Sequence, residues 1–157
     1  MASPNGEPYF LPAERAQSLA NYPHARIIQQ SAKTIFVSGT SSRRGDNTVV
    51  GCTTDANGTH HLDISLQTEA VLQNIGSIIG GATNGACGLQ NVVNAIVFLT
   101  DMRDYAGMNK EWNKVWPDKT KAPARTYRDL QLLEDIPVTL VPISRALVVE
   151  FSEDSDR

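Results

Sequence analysis

The chain has 157 residues, the length of one ordinary domain, and its 41% apolar and 20% charged residues exclude a disordered protein. The net charge is −3 and no block of like charge is present, which argues against a nucleic-acid surface and against binding to anionic membranes. The two cysteines lack metal-ligand spacing and no apolar run is long enough to cross a bilayer, so we expect a reduced, cytoplasmic protein.

The first half of the chain carries two strand patterns followed by one helix pattern. The predicted elements are strands over 26–30 and 33–40, a turn over 41–47, a short return strand over 48–50 and a helix over 63–79. Asp63 is a suitable N-cap for the helix, and Gly80-Gly81 is predicted to end it. Its apolar residues recur at helical spacing, at Leu66, Ala70, Ile75 and Ile78.

The second half begins with a nearly unbroken apolar run over 91–99, which predicts a central strand. A helix is predicted over 104–116, ended by Pro117. The apolar face of this helix consists of Tyr105, Met108, Trp112 and Val115. Two further strands are predicted over 123–131 and 138–151, the last with alternating apolar residues.

This order of elements predicts an α+β domain in which two helices cover one face of a mixed sheet. The other face carries many β-branched residues, and we expect oligomerisation to cover it. The chain shows no internal repeat and no linker. We therefore predict a flexible N-terminal arm over 1–21, a single domain over 22–151 and an acidic tail over 152–157.

Arg125 is the strongest candidate for a functional residue, because it lies inside a predicted strand. A guanidinium at the centre of a strand needs an anion, and its planar fork suits a carboxylate bound by two parallel hydrogen bonds. That anion is either an external ligand or one of the 17 acidic residues of the chain, and the residues alone leave both possibilities open.

Other candidates are weaker when taken singly. Asn109 neighbours the apolar face of its helix, where a short amide needs partners, or it lies at the edge of the solvent face. Ser38 and Gly39 close a strand, and Arg43-Arg44 follow on a hairpin tip, where they either bind a second carboxylate or are solvated. His60 and His61 have no third ligand at suitable spacing, so we expect no metal site.

Three short motifs, in this order, resemble the reactive-intermediate deaminase family, also called RidA or YjgF/YER057c/UK114. They are Ile35-Phe36-Val37-Ser38-Gly39, Asp104-Tyr105-Ala106-Gly107-Met108-Asn109 and Pro123-Ala124-Arg125-Thr126. The likeness covers roughly 22–151. The stretch over 38–44, with Tyr22-Pro23-His24 before it and His61-Leu62-Asp63-Ile64 after it, looks most like the 2-aminomuconate deaminase branch.

The resemblance implies a chorismate-mutase-like α+β fold and a homotrimer with a central barrel and active sites between subunits. It also implies cofactor-free hydrolysis of an enamine or imine to a ketone and ammonia. By this likeness Arg125 binds the substrate carboxylate, helped by the backbone at Tyr127. The implied lining residues are Ser38, Gly39, Tyr105, Asn109 and, at a position where the family has an aromatic residue, His24.

The chain departs from the family pattern at two positions. Many deaminating members have a Cys where this chain has Tyr127, and they carry a water-positioning Glu in the last strand, where residues 138–143 contain no acid. Three functions follow as alternatives: a deaminase for a 2-aminomuconate-like carboxylate, a non-hydrolytic isomerase or tautomerase in a specialised pathway, and a small-molecule-binding trimer without turnover. A dicarboxylate substrate would need a second cation, which Arg43 or Arg44 could supply.

Overall fold

The computed structural model describes residues 3–29 and 31–129. The chain forms strands β1 (Glu7–Tyr9), β2 (Ala25–Ile27), β3 (Cys52–Thr54) and β4 (His60–Leu62), followed by helix α1 (Ile64–Ala82). Strand β5 (Asn94–Leu99), helix α2 (Tyr105–Val115) and strand β6 (Ala124–Asp129) then follow, with short 3₁₀ turns over Leu89–Asn91 and Met102–Asp104. Within the described residues the α+β class is confirmed.

The strands form three two-stranded ladders among the described residues: β1 with β2, β3 with β4, and β5 with β6. The first two pairs are antiparallel, whereas β5 and β6 run parallel, with Ala95 opposite Arg125. Parallel neighbours need a crossover connection, and α2 provides it. The site described below lies on this β5–α2–β6 unit. A continuous sheet and a trimeric barrel stay predictions.

The core lies between the two helices and β5. Alternate residues of β5 are buried, among them Val97 and Leu99, and they pack in one cluster with Met108 and Trp112 of α2. The contribution of α1 is a stripe of fully or nearly buried side chains, Val71, Leu72, Ile75 and Ile79. The cluster fixes the position of α2 relative to β6. It therefore decides which α2 side chains face that strand.

The predicted helix over 63–79 is confirmed, with a correction to its end and its buried face. Asp63 caps it, accepting a hydrogen bond from the Leu66 backbone N–H at 3.0 Å. The helix does not stop at Gly80-Gly81 but continues to Ala82, because the Thr83 hydroxyl and backbone N–H satisfy the last carbonyls. Two side chains expected in the core, Leu66 and Ile78, are instead largely exposed.

A strand was predicted over 33–40. Residues 33–39 do not form one, because no described backbone pairs with them. Its alternation persists as burial: Ile35 and Val37 face the core while Phe36 is 73% exposed. The return strand over 48–50 is reduced to a bridge between Arg43 and Val49. The hairpin β3–β4 was not predicted, and the predicted strand over 138–151 lies outside the described residues.

The N-terminal segment is anchored on the domain at two points. The Asn5 amide is fully buried and donates to the carbonyls of Val92 and Lys121, each at 2.9 Å. Arg26 of β2 donates to the carbonyls of Gly6, Thr120 and Ala122 at 2.6–3.0 Å. The segment predicted as a flexible arm over 1–21 therefore includes a paired strand, and the domain boundary itself stays a prediction.

Candidate active site

Arg125 lies at the centre of the candidate site, with its side chain 7% exposed. Three aromatic rings surround the guanidinium carbon: Trp112 at 4.6 Å, Tyr22 at 5.3 Å and Tyr127 at 5.8 Å from the ring centroids. Cations within about 6 Å of an aromatic face are attracted by the ring quadrupole, and the attraction is stronger where water is excluded. The rings thus hold the cation in place without neutralising it.

The polar partners of the guanidinium are neutral. Nη2 donates to Asn109 Oδ1 at 2.6 Å and Nη1 approaches the Met108 sulfur at 3.8 Å, whereas the buried Nε has no hydrogen-bond partner in the described part of the chain. Among residues 3–29 and 31–129, no carboxylate forms an ion pair with Arg125. Burial lowers the pKa of Arg125 from its ordinary value, partly offset by the neighbouring tyrosines, Tyr105 first. The cation lacks a counter-ion in this part of the chain.

Helix α2 presents the acceptor for Arg125. Its buried face carries Met108 and Trp112, so Asn109, one residue further, points along β6. The Asn109 amide nitrogen donates to the Tyr105 carbonyl at 3.0 Å, one turn earlier. This bond fixes the orientation of the amide, because its oxygen must then face the guanidinium.

Two of the phenols near the guanidinium, Tyr105 and Tyr127, are bonded to each other. The Tyr127 hydroxyl donates to the Tyr105 hydroxyl at 2.9 Å, and the two rings lie 4.7 Å apart at 54°. This hydrogen bond, with partial burial, raises the pKa of Tyr127 to about 12. Both side chains are half-buried, so the pair borders solvent on one side and the guanidinium on the other.

The structure brings Arg125, Asn109, Tyr105 and Tyr127 together, whereas the other predicted site residues are not joined to them by any contact among the described residues. Ser38 and Gly39 are exposed, and the Ser38 carbonyl accepts from the Thr40 hydroxyl at 2.9 Å. Their predicted contribution to the site stays a prediction.

Arg43 and Arg44 lie on an exposed hairpin between Ser42 and Val50. Arg44 bonds the Thr48 hydroxyl at 3.2 Å, and Asn74 of α1 bonds the Ser41 carbonyl at the hairpin base. Within one chain the two arginines lie on a solvated turn, which is one of the two alternatives that the sequence left open. A second carboxylate site there stays a prediction.

His24 is committed to the N-terminal segment. Its Nδ1 accepts from the Leu11 backbone N–H at 3.2 Å, and its Nε2 lies 3.0 Å from the Ala16 carbonyl. Because Nδ1 is an acceptor, the proton lies on Nε2 and points at that carbonyl. Both ring nitrogens are therefore occupied, and the interpretation of His24 as a substrate ligand needs this bonding to be broken.

The histidines of the β3–β4 hairpin pair locally. His60 bonds the Thr54 hydroxyl at 2.9 Å, and His61 lies 3.2 Å from an Asp55 carboxylate oxygen. In the part of the chain that the structure describes, no three His, Cys, Asp or Glu side chains are grouped to hold a metal. No described helix is long and apolar enough to span a membrane.

The sequence did not single out Trp112 or Tyr22 as neighbours of Arg125. For Trp112 a signal was present, because it lies three residues after Asn109 and four after Met108 on one helical face. For Tyr22 the sequence contained no such signal, since the approach of Tyr22 to Arg125 depends on the path that residues 3–24 take across the domain. Buried Glu111 was missed as well; its carboxylate accepts a hydrogen bond from Lys114 at 2.5 Å.

Comparison with known proteins places the chain in a family. The profile of the family described as endoribonuclease L-PSP matches residues 13–145, and the chain belongs to this family, the RidA/YjgF family. Among curated proteins, the RutC family protein slr0709 of Synechocystis is 38% identical over 64 residues, 41% of this chain and 46% of that protein. The match thus spans less than half of that relative.

Solved structures share the fold. The Rid family protein YyfB of Yersinia pestis superposes with a TM-score of 0.68 at 18% identity, covering 92% of this chain and 98% of that one. Rv2704 of Mycobacterium tuberculosis, described as a member of the YjgF/YER057c/UK114 family, gives 0.53 at 20% identity, with 83% and 86% covered. At these identities the likeness establishes the fold.

Proposed function

We propose that this protein hydrolyses a carboxylate-bearing enamine or imine to a keto acid and ammonia, without a cofactor. One observation carries the proposal: Arg125 is a buried guanidinium with an unpartnered Nε and no carboxylate partner among the described residues. An internal ion pair was the alternative explanation of this residue, and the described residues do not supply one. A ligand carboxylate is the anion that fits the fork.

The chemistry asks little of the protein beyond orientation. An imine beside a bound carboxylate is already electrophilic, so the protein has to hold its carbon next to a water molecule and exclude competing poses. Arg125 binds the carboxylate, and Asn109 keeps the guanidinium in place from the other side. The aromatic rings remove bulk water from the cation, which strengthens its attraction to the guest.

The finer identity of the substrate follows the sequence likeness to the 2-aminomuconate deaminase branch. A dicarboxylate of that kind needs a second cation, and we assign this role to Arg43 or Arg44 of a neighbouring copy. In a homotrimer with active sites between subunits, the exposed hairpin over 41–50 of one subunit would reach the Arg125 site of the next, together with Ser38 and Gly39. Exposed apolar side chains such as Phe36 and Ile27 support such an assembly.

The test is turnover of a panel of 2-enamino and 2-imino acids, followed by mass spectrometry and by ammonia release above the spontaneous rate. Arg125→Ala should lose about 10²- to 10⁴-fold in kcat/KM, because removing one partner of a buried charged pair costs on the order of 3–5 kcal/mol. Arg103→Ala is the control, since Arg103 is exposed and paired with Asp101. Equal ammonia release by the wild type and Arg125→Ala would exclude hydrolysis.

A second candidate function rests on the missing acid in 138–143, where deaminating relatives carry a Glu. An isomerase or tautomerase needs the carboxylate-binding guanidinium but no water-positioning acid. Product analysis separates the two, because isomerisation retains nitrogen whereas deamination loses it. A binding protein without turnover would show affinity for keto acids in calorimetry and no product at all.

The family description also names an endoribonuclease activity. An RNA substrate would bring many phosphates, and such surfaces carry a basic face. The net charge of −3 does not favour this function, and RNA incubated with the protein is expected to stay intact.

A further inference from the structure

The hydroxyl pair of Tyr105 and Tyr127 is a chemical feature that carboxylate binding does not use. Tyr127 lies on β6, two residues after Arg125, and Tyr105 begins α2, so the two elements that build the Arg125 site also bring the phenols together. Their oxygens are 2.9 Å apart, and the Arg125 guanidinium carbon is 5.8 Å from the Tyr127 ring centroid. A guest held by Arg125 therefore lies within reach of the pair.

The two hydroxyls are not equivalent. The Tyr127 hydroxyl donates its proton to the Tyr105 oxygen. The hydroxyl proton of Tyr105 is therefore not part of this hydrogen bond. Among residues 3–29 and 31–129, no acceptor is bonded to that Tyr105 proton.

No described carboxylate or imidazole at this site is placed to transfer a proton to a bound guest. His24 has both ring nitrogens engaged with backbone groups, and buried Glu111 is paired with Lys114. The buried Cys87 lies just past the end of α1, where its backbone N–H donates to the Thr83 hydroxyl at 3.0 Å. Proton transfer at this site needs a donor within hydrogen-bond reach of the reacting atom, and the phenols are the titratable groups that contact one another beside Arg125.

We propose that Tyr105 is the proton donor of the reaction and that Tyr127 is its positioning residue, which extends the proposed deaminase function and rests on it. Tyr105 donates its hydroxyl proton to the β-carbon of the enamine, whose C=C bond becomes C–H while a C=N bond forms at the α-carbon. Water then adds to that iminium carbon, and its surplus proton returns to the Tyr105 phenolate. The carbinolamine expels ammonia as its hydroxyl proton moves to nitrogen, leaving the ketone.

This assignment gives the missing last-strand acid a substitute of a different kind. A Glu positions water as a base from the start, whereas a phenol begins protonated and becomes the base only after it has protonated carbon. The raised pKa of Tyr127 fits its part, because a positioning donor must keep its proton throughout the cycle. The substrates selected by such a device are enamines with a protonatable β-carbon next to the carboxylated carbon.

The test uses the full-length protein and 2-aminocrotonate generated in situ by dehydration of L-threonine in D₂O. Protonation by one fixed group delivers deuterium to a single face of the β-carbon, and the 2-ketobutyrate is reduced at once so that its stereochemistry is preserved. The wild type should give one configuration. Tyr105→Phe should lower kcat by about 100-fold with KM little changed, and its residual product should be racemic, since general acid catalysis contributes roughly 10²–10⁴-fold.

Tyr127→Phe should lower kcat by about 10-fold while the product keeps one configuration, because the donor remains and only its support is lost. Thermal unfolding of both variants checks that neither effect is loss of fold. Wild-type rate and stereochemistry in Tyr105→Phe would overturn the assignment while leaving the deaminase function standing. A wild type no faster than Arg125→Ala would overturn the function itself and the assignment with it.

Discussion

Asn109→Asp tests whether the guanidinium serves an external guest, because it introduces an internal carboxylate without changing the shape of the side chain. The Asn109 amide oxygen is 2.6 Å from Arg125 Nη2, so the carboxylate would lie in direct contact with the fork. At a charge separation of about 4 Å and an effective dielectric constant of about 20, the new pair attracts by about 4 kcal/mol, before the desolvation cost of the carboxylate.

The same charge repels an arriving substrate. A guest carboxylate bound by the fork would be roughly 4–7 Å from the introduced charge, a repulsion of about 2–4 kcal/mol. We therefore expect affinity for a 2-keto acid to fall roughly 30- to 1,000-fold, since each factor of ten corresponds to about 1.4 kcal/mol. Isothermal titration calorimetry with 2-ketobutyrate measures this loss directly.

The effect should depend on pH with a defined sign. Contact with Arg125 would hold the pKa of the introduced carboxyl below its ordinary value, so its stabilisation of the fold is present at neutral pH and is lost as pH falls through that lowered pKa. Keto-acid affinity should recover over the same pH range, because a protonated carboxyl no longer repels the guest. Wild-type protein should show no such recovery.

Two controls make the result interpretable. Asn113→Asp places the same charge one turn further along α2, at an exposed position, and should leave keto-acid affinity unchanged. Asn109→Ala removes the amide without adding charge and isolates its positioning role. If Asn109→Asp binds 2-ketobutyrate as tightly as the wild type, the guest does not lie at the guanidinium and the interpretation of Arg125 is wrong.

Two predictions concern the scaffold. Gly107→Ala should lower the free energy of unfolding in urea by roughly 1–3 kcal/mol, because a Cβ there would lie 2.4 Å from Cγ2 of Ile64 at the α1–α2 contact. Adding Ile64→Ala should restore part of that loss, and an unchanged stability of Gly107→Ala would show that the helices separate freely. Cys87 should alkylate more slowly than Cys52 at pH 8, because burial raises the pKa of the Cys87 thiol and leaves less thiolate; peptide mass spectrometry after iodoacetamide measures both sites, and equal rates would contradict the burial.

Periodic patterns predicted the elements on which the site is built. Helix α2, the strand β5 and the strand β6 are found within a few residues of their predicted bounds, because each buries one face and the sequence records that face. The strand over 33–40 illustrates the limit of a local pattern. Its alternation is visible in the burial of Ile35 and Val37, but a ladder also needs a partner backbone, which no local pattern specifies.

Arg125 and Asn109 could be named from the sequence because a charged and an amide side chain stand where apolar neighbours predict burial. The approach of Tyr22 to the guanidinium could not be predicted, since it requires a segment distant along the chain to converge on β6. His24 shows the converse. Its sequence neighbourhood offered no partner, yet the path of the N-terminal segment brings two backbone groups to its ring.

By itself the sequence determined the α+β class, the family and the identity of the buried cation, because these depend on local periodicity and on short motifs. Only the tertiary structure decided what surrounds that cation: neutral Asn109, aromatic rings and the phenol pair, with no carboxylate among the described residues. The physical reason is that a buried charge is satisfied through space, by groups whose distance from it along the chain carries no information.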